Sequence, residues 1–411
     1  MRRTVTAIVL GLVTAVVSAQ DLVITNATLY TGDDTNVIEN ADIIIENGRI
    51  KRIGQDLAVP EGVEVIDANQ QPVTPAFFAG ATVSGLVEVS AVSESADSDY
   101  EALYTELMHP EFDVRMAYNP HSSLIRITRI EGFSYALLTA TSGDRSISGQ
   151  GGLVRLDGGY DSFEGKPALF VDLSGYSADN VGGSRAAHWM LLGQAFDELE
   201  RGAELELLSP RGRTALRDVA NDGIIVFNVN RATDIMQVIK FAKAHSVQAV
   251  IHGGREAWIV ADALAEASIP VMLNALDNLP ANFDSLGSRL DNAALLNAAG
   301  VTVMFSSGET HNARKVRQLA GNAVANGMPK QAAIKAMTTT PARIFGGRER
   351  SASEGKVADL VLWTGDPLDV ASVAQQVVIN GKPDPMISRQ TLLRDRYMDR
   401  SPLPRAYSIP D

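Results

Sequence analysis

The 411-residue chain contains no cysteine. That excludes disulfides, thiolate metal ligands, a cysteine nucleophile and a lipid-modified N-terminal cysteine. It also lacks any dense cluster of Lys and Arg. With a formal net charge of −13, nucleic acid and anionic membrane surfaces are poor partners. Beyond residue 17 no apolar run approaches the roughly 20 residues needed to span a bilayer. No G-x-G-x-x-G follows a strand-like run, so a dinucleotide-binding, doubly wound sheet has no support.

What is present begins with a leader. Arg2 and Arg3 precede an almost wholly apolar stretch from Val5 to Val17, and Val17-Ser18-Ala19 is a small-residue cleavage site. Residues 1–19 therefore read as a secretory signal peptide. The protein is expected to be exported, to the periplasm of a Gram-negative cell or otherwise secreted. About 13 apolar residues are too few for a membrane anchor. A chain of this length can bury a core that needs no disulfides after export.

Two β-rich segments bracket the chain. "LVITNATLY", "ADIIIENGRIKRIG" and "GVEVIDA" carry β-branched runs near the N-terminus, and "VADLVLWTGDP" with "VAQQVVINGKP" repeats the style near the C-terminus. Asn47-Gly48 and Asn380-Gly381 are two-residue hairpin signals, because both central positions of a type I′ turn need positive φ. Residues 20–72 and 355–385 are predicted to form one small β-sandwich domain, with residues 73–354 inserted as the large domain and 386–411 left as a tail.

From about residue 223 the period changes. Strand-like "GIIVFNVN", "VQAVIHGG", "IPVMLNAL" and "VTVMFSSG" alternate with helical stretches. In the first of these helices Ile235, Val238, Ile239 and Ala242 recur at helical spacing. Four strand–helix units in succession predict a parallel sheet with crossover helices. Together with "FSYALLTAT", "GGLVRLDG" and "PALFVDLSG" upstream, the total fits an α/β, (β/α)8 TIM-like barrel. Chemistry in such a barrel sits where the strands end. Each late strand delivers polar groups there: Asn228 and Asn230; His252; Asn274, Asp277 and Asn278; Ser306, Ser307, Glu309 and His311.

With the flanking segments, these units resemble the imidazolonepropionase-like branch of the amidohydrolase superfamily over nearly the whole chain after the leader. "DLVITNATLYTGD" through "VIDANQQPVTPAFF" resembles that family's entry into barrel strand one. "SEGKVADLVLWTGDPL" followed by "VVINGKP" resembles its C-terminal return. The resemblance implies hydrolysis of non-peptide C–N bonds, in a cyclic amide or related substrate, by water activated on a divalent metal.

It also implies ligands that this chain does not carry. The strand-one motif, usually P-G-x-x-D-x-H-x-H, reads Pro75-Ala76-Phe77-Phe78-Ala79-Gly80-Ala81-Thr82-Val83, so Ala81 and Val83 stand at the two histidine positions. The strand-five His corresponds to Asn228, or alternatively to Asn230. The strand-six His is kept as His252, and the strand-eight Asp corresponds to Glu309. A catalytic zinc site ordinarily takes three protein ligands plus water, so no metal is expected unless His252 and Glu309 hold one, such as zinc, in rearranged coordination.

Three readings follow. In the first, the chain is a C–N hydrolase, with a relocated metal or without one, in which His252 serves as general base, Glu309 as a second carboxylate and Asn228 or Asn274 as oxyanion donors. In the second, it is a non-catalytic barrel binding a small polar ligand through Asn228, Asn230, Asn274, Asp277 and His311. In the third, it is a structural subunit, a homo-oligomer or the partner of an active homologue, with the arginine-rich tail after Pro385 as an arm. The acidic stretch Glu88–Glu106 is expected to form a loop over the barrel mouth.

Overall fold

A computed structural model describes residues 21–33, 37–99, 108–141, 145–201, 207–308 and 310–398. The leader and Glu309 lie outside the described residues, as do the end of the acidic stretch and the last part of the tail. Among the described residues, no helix is long and apolar enough to cross a membrane.

The N-terminal strands are β1 (Leu22–Tyr30), β2 (Val37–Glu46), β3 (Arg49–Gly54), β4 (Glu64–Asp67) and β5 (Pro72–Pro75). Leu22, Ile24, Ile43, Ile45 and Ile50 point to one side and form a small core of their own, the period-2 pattern of a strand with one buried face. The Asn47-Gly48 hairpin is as predicted. Both residues have positive φ, 51° and 78°, and Glu46 pairs with Arg49 across a two-residue loop.

The barrel follows. Its strands are β6 (Phe77–Thr82), β7 (Phe133–Leu138), β8 (Ile147–Arg155), β9 (Phe163–Asp172), β10 (Ile224–Val229), β11 (Ala249–Gly253), β12 (Val271–Leu273) and β13 (Val303–Phe305), neighbours in chain order. β6 and β13 are laced at the seam by Ser306, whose hydroxyl accepts the Ala81 backbone N–H at 3.0 Å. Gly80 is required there. Its φ is +78°, and a Cβ at this position would stand 2.9 Å from the Ser306 Cα.

Seven of the strands run the same way. The exception is β8, antiparallel to both β7 and β9. The reason is connection length: residues 139–146 and 156–162 are all that join these strands, and a parallel return needs a crossover of a dozen or more residues. The barrel is therefore mixed, with a meander of three strands in place of two strand–helix units.

The helices take the other connections. α1 (Ser123–Arg129) precedes β7; α2 (Gly175–Asn180), α3 (Arg185–Arg201) and α4 (Pro210–Asp222) lie between β9 and β10. α5 (Ala232–His245), α6 (Ala261–Glu266) and α7 (Asn292–Ala298) follow β10, β11 and β12 in turn. On α5 the side chains of Ile235, Val238, Phe241 and Ala242 are buried, close to the face its sequence period indicated. α8 (Val316–Ala325), α9 (Lys330–Met337) and α10 (Thr339–Ile344) complete the layer after β13.

β14 (Leu360–Trp363), β15 (Ala374–Ile379) and β16 (Lys382–Pro383) rejoin the N-terminal strands in one sheet, ordered β16-β15-β14-β5-β1-β2-β3 with β4 also on β1. The second hairpin, Asn380-Gly381, repeats the positive φ pair at 51° and 74°. The two turns abut, so that a Cβ on Gly48 would lie 2.8 Å from the Asn380 carbonyl oxygen. Trp363 joins this sheet to the barrel: its ring is fully buried and stacks on Phe77 at 5.2 Å, while its indole N–H reaches the Thr74 hydroxyl at 3.0 Å. Helix α11 (Arg389–Met398) ends the described chain, lying against α1.

Candidate functional site

Parallel register brings three polar side chains into one row. Asp172 on β9 pairs with Asn228 on β10, and Asn228 pairs with His252 on β11. Register partners share a face, so all three look the same way at the strands' C-terminal ends. They line a cavity of about 380 Å³ whose other walls include Ala81, Val83, Thr139, Thr141, Ser148 and Thr310. That volume sits at the small end of the range for ligand pockets, about 300–1,000 Å³.

The row differs in how its members are held. Asp172 is anchored, accepting the Ser174 backbone N–H at 2.8 Å. Asn228 and His252 make no side-chain hydrogen bond to another described residue, so the amide and the imidazole are free to meet a ligand. Burial lowers the His252 pKa below the ordinary value of 6.5, and the negative charge of Asp172 opposes that shift without cancelling it. The imidazole is therefore neutral at neutral pH, with one nitrogen donating and the other accepting.

A second histidine stands behind the wall. His188 on α3 is buried, its Nε2 lies 2.7 Å from the Ser146 hydroxyl, and burial pushes its pKa down to about 4. Asp172 again pulls in the opposite direction. His188 and Ser146 are both closed off from the cavity's contents and serve its frame.

The other predicted residues go elsewhere. Asn230, Asn274 and Asp277 do not line the cavity; they assemble around Arg255. Asp277 accepts the Arg255 Nε–H at 2.9 Å and the Asn274 amide at 3.2 Å, and the Asn230 side-chain oxygen accepts the Arg255 backbone N–H at 3.5 Å. This set ties down the loops after β10, β11 and β12. His311 is exposed at the surface. Ser306 is spent on the barrel seam. Glu309 is outside the described residues, while its neighbours Gly308 and Thr310 line the cavity.

Sequence reasoning missed Asp172, the threonines and Ser148. The signal was available: Asp172 ends "PALFVDLSG", and the strand-end rule used for the four late strands finds it when applied to the early ones. The described part of the acidic stretch touches the cavity's rim at its end, with Asp99 paired to Arg145 at 2.9 Å and Ser98 to Thr141 at 3.2 Å.

A larger cavity, about 710 Å³, opens where strands begin, bounded by Ile224, Ala249 and Pro270 and by α5 and α6. It is the wrong end of the barrel for chemistry. Its polar edge is Lys240, Lys243 and Glu266.

Two of the positions where the sequence resemblance implies metal ligands carry no donor atom in their side chains. Ala81 and Val83 form apolar wall where two imidazoles would be needed, and neither has a lone pair to donate. Among the described residues, no group of three or more His, Asp or Glu stands close enough together to hold an ion.

Comparison with known proteins agrees with this geometry at the level of fold. Residues 227–387 match the amidohydrolase family. No curated protein sequence matches the chain. Among solved structures, an amidohydrolase from Thermotoga maritima MSB8 superposes with a TM-score of 0.77 at 21% identity, covering 90% of this chain and 100% of that one. Molinate hydrolase gives 0.57 at 15% identity, covering 96% and 100%. N-isopropylammelide isopropylaminohydrolase from Burkholderia multivorans gives 0.50 at 16%, covering 89% and 98%.

Proposed function

We propose that the chain belongs to the amidohydrolase superfamily, a reading supported by its match over residues 227–387 and by its fold, and that its barrel mouth binds a small, uncharged molecule built around an amide-type C–N bond, without the superfamily's strand-one metal. The carrying observation is the row Asp172–Asn228–His252, in which the amide and the imidazole, neither bonded through its side chain to another described residue, present a donor and an acceptor each to one cavity. An amide group has the matching acceptor and donor. Among the described residues, the cavity's lining offers a buried ligand no positive side chain to pair with, so a neutral molecule suits it better than a carboxylate.

Hydrolysis of that bond is the second reading, favoured by the unprotonated His252, which can take a proton from water. Losing a Lewis acid worth several kcal/mol restricts such chemistry to labile bonds. The hydrolase neighbours lend the reading support through fold alone.

A calorimetric screen of lactams, ureides and imides against the purified chain tests the proposal. The expected result is saturable one-to-one binding by at least one class, weakened roughly 10-fold or more in Asn228→Ala and in His252→Ala, as removal of a buried hydrogen-bonding partner predicts. Divalent metal is expected below about a tenth of an equivalent, from the want of three ligands. Binding indifferent to both substitutions, or a stoichiometric metal, would overturn it.

A further inference from the structure

Helix α11 presents a problem of stability. It is ten residues long and none of them is buried. Leu392, Tyr397 and Met398 are 59%, 78% and 74% exposed. A helix of that length is marginal in water without a face to pack against, and α1 supplies only one side.

Between α1 and α11 runs a groove of about 340 Å³, lined by Arg126, Leu392, Leu393 and Arg396 with Arg389 at its end. Arg126, Arg389 and Arg396 pair with no carboxylate among the described residues. The groove is thus apolar at its floor and positive along its rim. A surface of the opposite kind adjoins it. Ser123, at the start of α1, lines the same groove and donates to Glu88 at 3.2 Å. Glu88 opens the acidic stretch, where Glu94 and Asp97 are exposed together with Val89 and Val92.

We propose that α11 docks on a second copy of this chain, its groove receiving the partner's Glu88–Asp97 segment while the partner's groove receives this one. Charge complementarity argues for a copy of the same chain. The protein is strongly acidic overall, and its basic groove and acidic segment lie side by side, each with exposed apolar residues to cover. A two-fold axis between such neighbouring patches satisfies both at once, because an isologous interface needs a surface that is complementary to itself. Burial of Leu392, Leu393, Val89 and Val92 supplies the apolar centre, and the arginines and glutamates fix the register.

Sedimentation velocity on the full chain tests this with two charge variants. The unaltered chain is expected to dimerise with concentration. Arg389→Glu with Arg396→Glu places like charges across both contacts, and Glu88→Arg with Glu94→Arg does the same with the opposite sign. Each variant alone is expected to dissociate roughly 100-fold more readily, the scale of several like-charge contacts. Mixed in equal amounts, the two variants are expected to form a heterodimer, since each acidic patch then faces a basic one. A misfolded variant cannot give that rescue. A monomeric parent at high concentration, a dimer untouched by the variants, or a mixture that stays monomeric would each overturn the proposal. The first of these outcomes would leave α11 to a partner other than this chain.

Discussion

His188 shows what burial does to a single side chain. It carries no charge at neutral pH because its position withdraws the imidazole from water, which the Ser146 hydroxyl and the charge of Asp172 only partly offset. In the unfolded chain the same ring titrates near 6.5, while folded it titrates at about 4. As pH falls through that window, the unfolded state takes up the proton first, so stability declines with acidification and recovers with rising pH. The full difference is about 3 kcal/mol. Urea unfolding at pH 7 and pH 4.5 should show the loss, and His188→Asn should flatten it; an unchanged slope in the variant would assign the acid sensitivity to other groups. His188 was not legible in the sequence, because nothing in "SRAAHWMLLGQ" marks one helical residue as facing a barrel wall. His252 and Asn228 were legible, since each ends a strand whose pattern is clear. Asn230, Asn274 and Asp277 satisfied the same rule and turned out to hold Arg255, because the last residues of a strand and those of the loop just after it look alike in sequence yet point to different sides.

Among the elements, β6 is the one on which barrel closure depends. Its glycine brings the backbone against β13 so closely that only a hydrogen fits beyond the Cα. Gly80→Ala is expected to cost about 2–4 kcal/mol, combining a positive-φ penalty with a steric one. Adding Ser306→Ala should not relieve it, because the clash is with the Ser306 Cα and that atom remains. Chemical denaturation of the two single variants and the double decides this, and full recovery in the double would move the strain to the hydroxyl. The β/α units from β10 to β13 could be read from period alone, and so could both Asn-Gly hairpins. The reversal of β8 could not be read from hydrophobic pattern, since an antiparallel barrel strand buried on both sides looks like a parallel one. Loop length held the information: short connections on either side of β8 already excluded crossovers.

At the scale of the whole molecule, two cores must unfold as one or separately, and Arg350 stands between them. It is 3% exposed, with Asp359 of the terminal sheet at 3.0 Å, Glu164 of β9 paired on its other side, and its guanidinium 3.9 Å from the Tyr135 ring centre. Asp359 is the acidic residue of "KVADLVLW", so a segment first recognised by family likeness proves to be a clamp. Arg348 shares Asp359 at 3.0 Å, which tempers the loss of either arginine. Removing one member of a buried ion pair leaves the other charged and poorly solvated, and such changes cost about 3–5 kcal/mol. Arg350→Met should fall at the lower end of that range. Glu164→Gln in the same chain should recover part of the cost, since the stranded carboxylate is then neutral. Trp363 stays stacked on Phe77 in both variants, so calorimetry should still record a single transition at a lower temperature. Two separate transitions in Arg350→Met would mean that the ion pairs, and not the aromatic contact, couple the terminal sheet to the barrel.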